Sequence, residues 1–106
     1  MSLRDLKIKT NVLKRNLKDE IHYKKEVEQQ EAYVEKLKSD DADEYLIRKQ
    51  IEVLDESKMM LPDCKKRIAK AVEDLKALLD TQNPVFEGSE ELKMAEDVLA
   101  SVNYSA

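Results

Sequence analysis

The sequence predicts an all-α protein, an elongated antiparallel bundle of two long helices and a shorter C-terminal helix. Between residues 47 and 79 apolar residues recur at alternating steps of three and four, a helical period held over more than four heptads. Charged residues make up 40% of the 106 residues and Gly occurs once, a composition typical of long helices. No alternating apolar and polar run is bounded by turn residues, so we expect essentially no strand. A chain of this length, residues 1–106, is predicted to form a single domain.

The first helix is predicted from about Leu3 to Lys38. Its apolar side chains form two stripes, separated by roughly a quarter turn because successive helical residues are about 100° apart. The first stripe comprises Leu6, Thr10, Leu13, Leu17 and Ile21, and the second comprises Tyr23, Val27, Gln30, Val34 and Leu37. Two stripes indicate two helical neighbours. Residues 39–43 are rich in cap-forming side chains, and so short a connection makes the next helix an antiparallel neighbour.

The second helix is predicted from about Asp43 to Asp80, with Pro62 inside it. One apolar row repeats every seven residues: Ile47, Leu54, Leu61, Ile68 and Leu75. An adjacent row repeats in the same way: Gln50, Ser57, Cys64, Ala71 and Leu78. A proline inside a helix costs roughly 3 kcal/mol. The alternative is a new helix beginning at Pro62, but Leu61 would then be a poor N-cap and the heptad phase would not continue unbroken. One helix kinked at Pro62 is favoured.

Residues 81–88 form the linker, and Phe86 is expected to pack down and hold it in place. Ser89 is a good N-cap for a third helix of about 15 residues, with Leu92, Ala95, Leu99 and Val102 on one face. This acidic helix is predicted to fold back along the basic segment 60–79. The opposite end of the hairpin would then be a helix pair only, with four apolar residues thinly covered: Val27, Val34, Ile47 and Ile51.

Charge and composition exclude several classes of function. Residues 1–25 carry a net charge of +5 and residues 26–56 a net charge of −7, blocks that are most often solvated helix faces paired with one another. The basic stretch from Lys7 to Arg15 lacks interleaved aromatic residues, so nucleic acid is not expected as a partner. No apolar run approaches the 18 residues of a membrane span. The N-terminus does not resemble a signal peptide, and the single Cys fits a reducing compartment, which makes the cytosol the default location.

No catalytic, cofactor or metal site is predicted. The sequence has no phosphate-binding glycine loop and no metal-spaced cluster of Cys and His. His22 is interpreted as an ordinary, partly exposed helix residue. Cys64 lies on the second apolar row, where a small buried side chain is more common than a nucleophile.

Two pairs of residues leave an alternative open. Met59 projects opposite the apolar row, as lone exposed apolar residues often do, and Met60 is expected to pack against the third helix. A methionine pair beside a kink is also typical of an adaptable binding surface. Tyr23 and Tyr45 fit the edge of the core and a contact surface about equally well.

Two ordered sets of residues resemble the tubulin-folding cofactor A family over nearly the whole chain. The first set is Lys7-Ile8-Lys9-Thr10, Lys14-Arg15, Lys18, Tyr23, Lys25-Glu26 and Gln30. The second set is Tyr45, Gln50, Val53-Leu54, Glu56-Ser57, Met59-Met60, Pro62-Asp63-Cys64, Arg67, Ala71 and Asp74-Leu75. The run from Glu56 to Cys64 is the most specific part, with Leu61 a conservative variation, and the third helix matches least.

The resemblance implies a cytoplasmic, cytoskeleton-associated chaperone that binds β-tubulin after its release from the cytosolic chaperonin and holds it before the α/β heterodimer assembles. It implies no enzymatic activity and no cofactor, leaves other tubulin-folding cofactors open as partners, and leaves open whether the chain is a monomer or a homodimer. The residues expected to contact β-tubulin are Lys7, Lys9, Lys14, Arg15, Lys18, Tyr23, Tyr45, Glu56, Met59, Met60, Asp63 and Arg67. The alternative is a structural coiled-coil module that only associates with itself.

Overall fold

The computed structural model describes residues 2–102, and over that range the chain forms three α-helices and one turn of 3₁₀ helix. Helix α1 spans Leu3–Ser39, α2 spans Glu44–Asp80, and α3 spans Glu90–Val102, with the 3₁₀ turn at Pro84–Phe86. No strand occurs within residues 2–102. The prediction of an all-α chain with two long helices and a shorter third is confirmed, with boundaries that differ from the predicted ones by one residue in α1 and α2. Helix α3 has 13 residues within the described range.

Helix α2 passes through Pro62 without interruption. The alternative in which Pro62 begins a new helix is therefore wrong. The heptad phase continues across the proline because the backbone keeps its helical period on both sides. The kink at Pro62 stays a prediction.

The connection between α1 and α2 is closed by backbone hydrogen bonds. Asp41 has a φ of 52°, the left-handed conformation that commonly ends a helix. The Ala42 N–H donates to the Leu37 carbonyl at 3.0 Å, and the Asp41 N–H donates to the Lys38 carbonyl at 3.3 Å. This pair of bonds is a Schellman motif, which satisfies carbonyls that the end of α1 would otherwise leave without a donor.

The linker to α3 is also held by specific contacts. The Asn83 Oδ1 atom accepts a hydrogen bond from the Val85 N–H at 3.0 Å and caps the 3₁₀ turn. Phe86 is buried, so the prediction that it holds the linker in place is confirmed. Gly88 has a φ of 70°, where residues with a Cβ are strained. The Ser89 Oγ atom accepts from the Leu92 N–H at 3.0 Å, which confirms the predicted N-cap of α3.

The chain divides into two compact units, and each has its own core. The three-helix unit comprises residues 1–18 and 66–106, and its core brings the start of α1, the end of α2 and α3 together. The side chains in that core are Leu6, Leu13, Ile68, Ala71, Leu75, Leu78, Phe86 and Ala95. Each fully buried leucine contributes about 1.5–3 kcal/mol of transfer free energy. The predicted packing of the third helix against the basic end of α2 is confirmed, whereas the assignment of all 106 residues to one domain stays a prediction.

The hairpin unit comprises residues 19–65, the end of α1 and the first part of α2. Its core is small: Val27, Val34 and Leu54 are buried, and Ile51 and Leu61 pack against them. The expectation that Val27 and Val34 are thinly covered is wrong, because the two helices bury them between themselves. Ile47 and Ile51 are half-buried, as predicted for a helix pair with no third layer.

One residue of the predicted first stripe does not belong to the core. Ile21 is 67% exposed, whereas Glu20 beside it is buried with its carboxylate 3.5 Å from the Lys24 ammonium. The buried side of α1 has already turned toward the second stripe at this point. Residues repeated at a fixed spacing move slowly around the axis of a straight α-helix, because that spacing does not equal a whole number of turns. A stripe of such residues therefore cannot face the same neighbour along the whole helix.

Candidate protein-binding surfaces

The predicted binding residues of the three-helix unit lie in solvent. Five of them follow α1 and are all exposed: Lys7, Lys9, Lys14, Arg15 and Lys18. On the same helix, Leu6, Thr10 and Leu13 are buried and face the core. Because the buried and basic residues alternate with the helical period, α1 presents a basic surface to solvent and an apolar one to the core.

Arg67 of α2 also belongs to this unit and is exposed. The Asn16 Nδ2 atom of α1 lies 3.5 Å from the Arg67 carbonyl oxygen. Asn16 follows Arg15 directly, so the structure brings Arg67 beside the basic part of α1, which the sequence alone did not predict.

In the hairpin unit, Glu56, Met59 and Asp63 are exposed on α2. Met59 is 74% exposed, which confirms that it projects away from the apolar row. Met60 is 39% exposed, and its expected packing against the third helix stays a prediction. Adjacent helical residues point about 100° apart, and the two methionines therefore belong to different faces of α2.

The two tyrosines have different environments. Tyr45 is exposed, and the Lys49 ammonium lies 5.5 Å from its ring centroid, within the range of a cation–π contact. Tyr23 is half-buried, and its ring centroid is 6.0 Å from that of His22. Tyr45 is thus on a surface, whereas Tyr23 lies at the edge of the core.

Three further apolar residues of the hairpin unit are exposed although none was among the predicted binding residues: Tyr33, Leu46 and Val53. Leu46 and Val53 lie fourteen and seven residues before Met60, a spacing that could have identified them as part of one row. Gln30 and Gln50 were predicted to lie in apolar rows of α1 and α2, but the contact between them was not predicted. In the structure the Gln30 Nε2 atom donates to the Gln50 Oε1 atom at 2.9 Å and to the Gln50 carbonyl at 3.0 Å.

His22 and Cys64, the two residues considered as catalytic or metal-binding side chains, lie in environments typical of structural residues. The His22 Nε2 atom lies 3.1 Å from the Glu26 carboxylate, with both side chains largely in solvent. Cys64 is buried on the second apolar row, as predicted. Within residues 2–102 no three His, Cys, Asp or Glu side chains are grouped to hold a metal ion. None of the helices described is long and apolar enough to cross a membrane.

The fold and these surfaces define a class, the small helical bundles that expose apolar and charged helix faces, where protein binding is the common activity. The family model described as Tubulin binding cofactor A matches residues 1–99. Tubulin-specific chaperone A of Rattus norvegicus is 45% identical over 104 residues, which are 98% of this chain and 95% of the rat protein.

Solved structures agree with the sequence comparison. Tubulin folding cofactor A from Arabidopsis thaliana superposes with a TM-score of 0.87 at 39% identity, covering 96% of this chain and 95% of that one. A protein described as a β-tubulin-binding post-chaperonin cofactor superposes with a TM-score of 0.81 at 38% identity, covering 94% and 95% of the two chains. The chain belongs to the tubulin binding cofactor A family, whose members are tubulin chaperones.

Proposed function

We propose that this chain captures β-tubulin as it leaves the cytosolic chaperonin and holds it until the α/β heterodimer is assembled. The observation that carries the proposal is the match, over 94% of the chain, to a solved structure described as a β-tubulin-binding post-chaperonin cofactor. The exposed faces support it. A basic surface on the three-helix unit and methionine and tyrosine side chains on the hairpin unit are available to another protein.

The proposed mechanism is binding alone. Exposed thioether side chains such as Met59 repack against irregular apolar surface, which shields that surface of the client from aggregation. Exposed Lys and Arg side chains of α1 pair with carboxylates of the client and orient it. No covalent step and no cofactor enter this mechanism. The chain would act in the cytoplasm, in association with the tubulin cytoskeleton, and other tubulin-folding cofactors would receive the client from it.

The direct test is complex formation between the purified chain and β-tubulin released from the purified chaperonin, separated by gel filtration. We expect co-elution of the wild-type chain with β-tubulin. Met59→Asp is expected to weaken the complex, and Met94→Asp, at a residue 44% exposed on α3, is the matched control that should leave it intact. No co-elution of the wild-type chain with folding-competent β-tubulin would refute the proposal.

The exposed apolar side chains of α2, Met59 among them, also suit the second candidate, a coiled-coil module that only associates with itself. Light scattering of the chain by itself separates the two. If the chain only associates with itself, Met59→Asp should abolish the dimer and every partner contact together.

A further inference from the structure

One row of α1 is buried along most of the helix. Its residues repeat every seven positions, and each is at most 8% exposed: Leu6, Leu13, Glu20, Val27 and Val34. The member in the centre of the row, Glu20, is an acid, whereas the others are apolar. Its carboxylate lies 3.5 Å from the Lys24 ammonium. A buried heptad row is normally apolar throughout, so Glu20 interrupts the apolar contacts of α1.

The interruption coincides with the division of the chain into two compact units. Glu20 is the second residue of the hairpin unit. Leu6 and Leu13, which precede it in the row, belong to the core of the three-helix unit. Val27 and Val34, which follow it, belong to the core of the hairpin unit, and no described residue belongs to both cores. Two separate apolar cores favour two separate units of unfolding.

Helix α2 is weakened near the same division. Pro62 lies four residues before Lys66, where the three-helix unit resumes. The Pro62 nitrogen has no hydrogen to donate to the Lys58 carbonyl, so one backbone hydrogen bond of α2 is missing. A boundary between folded and unfolded helix therefore forms here at lower cost than inside an unbroken turn.

The two units are also buried to different depths. The largest fully buried side chains all lie in the three-helix unit: Leu6, Thr10, Leu13 and Leu75. In the hairpin unit, all of whose residues are described, the most deeply buried residue is Val34, at 3%. The ion pair between its helices, Lys58 with Glu31, has both side chains half exposed, and such pairs contribute little to stability. The hairpin unit is therefore expected to be the less stable of the two.

We propose that Glu20 is a break built into the buried row of α1, which lets the hairpin unit unfold locally while the three-helix unit stays folded. In this open form Val27, Val34 and Leu54, which the closed hairpin buries, become available to a partner. They add to apolar side chains such as Met59 that the closed form already exposes. Opening thus enlarges the apolar surface available for protein binding. The inference goes beyond the proposed function and does not depend on it.

Amide hydrogen exchange of the wild-type chain, measured residue by residue by NMR, tests for separate opening. The slowly exchanging amides of the hairpin unit should share one equilibrium constant for opening, roughly a hundredfold larger than that of the slowest amides of the three-helix unit. One common constant for both units would overturn the proposal. Protection that rises steadily with distance from residues 39–43 would also overturn it, because that pattern shows fraying from the connection.

Glu20→Leu tests the role of the break itself. Leucine completes the apolar row and removes a buried carboxylate, so the hairpin amides should exchange about tenfold more slowly or slower still. Glu28→Leu makes the same substitution at an exposed residue of the same helix and unit, and it should leave their exchange unchanged. Hairpin amides that exchange as fast in Glu20→Leu as in the wild-type chain, or faster, would contradict the proposal.

Leu75→Ala distinguishes separate opening from unfolding of the whole chain. Leu75 is fully buried in the three-helix unit. Since that unit is folded in both the closed and the open form, the substitution should speed exchange in the three-helix unit and leave the hairpin amides unchanged. Equal acceleration in both units would refute the proposal. If circular dichroism shows that Leu75→Ala does not fold, Leu75→Val makes a smaller deletion with the same two expected outcomes.

Discussion

Gln30 and Gln50 show how a single pair of residues shapes the hairpin unit. They lie in rows that are otherwise mostly apolar. The Gln30 side-chain amide donates to the Gln50 side-chain oxygen at 2.9 Å and to the Gln50 backbone carbonyl at 3.0 Å. A polar pair of this kind is matched in only one alignment of the two helices. The Gln30–Gln50 contact therefore helps to fix the register of the two helices as well as to stabilise them.

Replacing Gln30 tests this at the residue scale. Gln30→Ala removes both hydrogen bonds and should lower the free energy of unfolding by about 1 kcal/mol. Urea denaturation followed by circular dichroism measures it. Gln29→Ala changes the same residue type at an exposed neighbour and should have no measurable effect. Equal losses for both variants would show that the Gln30–Gln50 pair does not stabilise the hairpin.

Ser89 is the second residue with a predicted effect. Ser89→Ala removes the acceptor of the Leu92 N–H and should destabilise the chain by about 1 kcal/mol, whereas Ser89→Gly should cost only a few tenths. The control is Ser101→Ala, whose hydroxyl donates to the Val98 carbonyl at an exposed position and caps no helix. An Ala variant as stable as the wild-type chain in thermal melts would contradict the cap.

At the scale of the element, Pro62 is the feature of α2 that needs a reason. The helix continues through it although the proline has no N–H to donate to the fourth preceding carbonyl. A rod with no other purpose would be more stable without it. The position of Pro62 between Met59 and Asp63, both predicted contact residues, suggests that the local backbone serves binding.

Pro62→Ala should therefore raise the free energy of unfolding by about 2 kcal/mol, since the lost helix strain exceeds the added entropy of the unfolded chain. The same variant is expected to bind β-tubulin less tightly. Pro84→Ala is the matched control, because Pro84 sits at the start of the 3₁₀ turn, where proline is favourable and its loss should destabilise slightly. A Pro62→Ala chain that melts at a lower temperature than the wild-type chain would refute the strain argument.

At the scale of the whole molecule, charge is distributed in blocks that alternate in sign along the sequence. Within this pattern, the exposed basic residues of α1 are the ones predicted to contact β-tubulin. Electrostatic contacts of exposed groups act over about 10 Å at moderate ionic strength and weaken as salt is added.

Reversing two of these charges tests the assignment. Lys14→Glu combined with Arg15→Glu should weaken β-tubulin binding roughly tenfold at low salt, with a smaller difference at high salt. Lys76→Glu combined with Lys93→Glu makes the same change of net charge at exposed residues of α2 and α3 and is expected to have little effect. Equal weakening by both pairs would mean that net charge, not the α1 surface, governs the interaction. Fluorescence titration at several salt concentrations provides the measurement.

Much of the fold was predictable from local signals. The three helices, the cap at Ser89 and the linker around Phe86 follow from apolar spacing and from residues with strong positional preferences. The candidate surfaces were less predictable. Met59 was correctly expected to be exposed, whereas Met60, Leu46 and Val53 required knowledge of which side of α2 has a neighbour. The position of Arg67 beside the basic part of α1 became known only from the contact between Asn16 and the Arg67 carbonyl.

The sequence by itself determined the length of each helix and the rows of apolar residues along it, because backbone hydrogen bonding and the helical period act between residues a few positions apart. Only the tertiary structure decided which rows are covered. Ile21 is left in solvent and Val34 is buried although both are apolar residues on predicted stripes of α1. The physical reason is that burial depends on the neighbouring helix present at that height, and such a contact joins residues far apart in the chain.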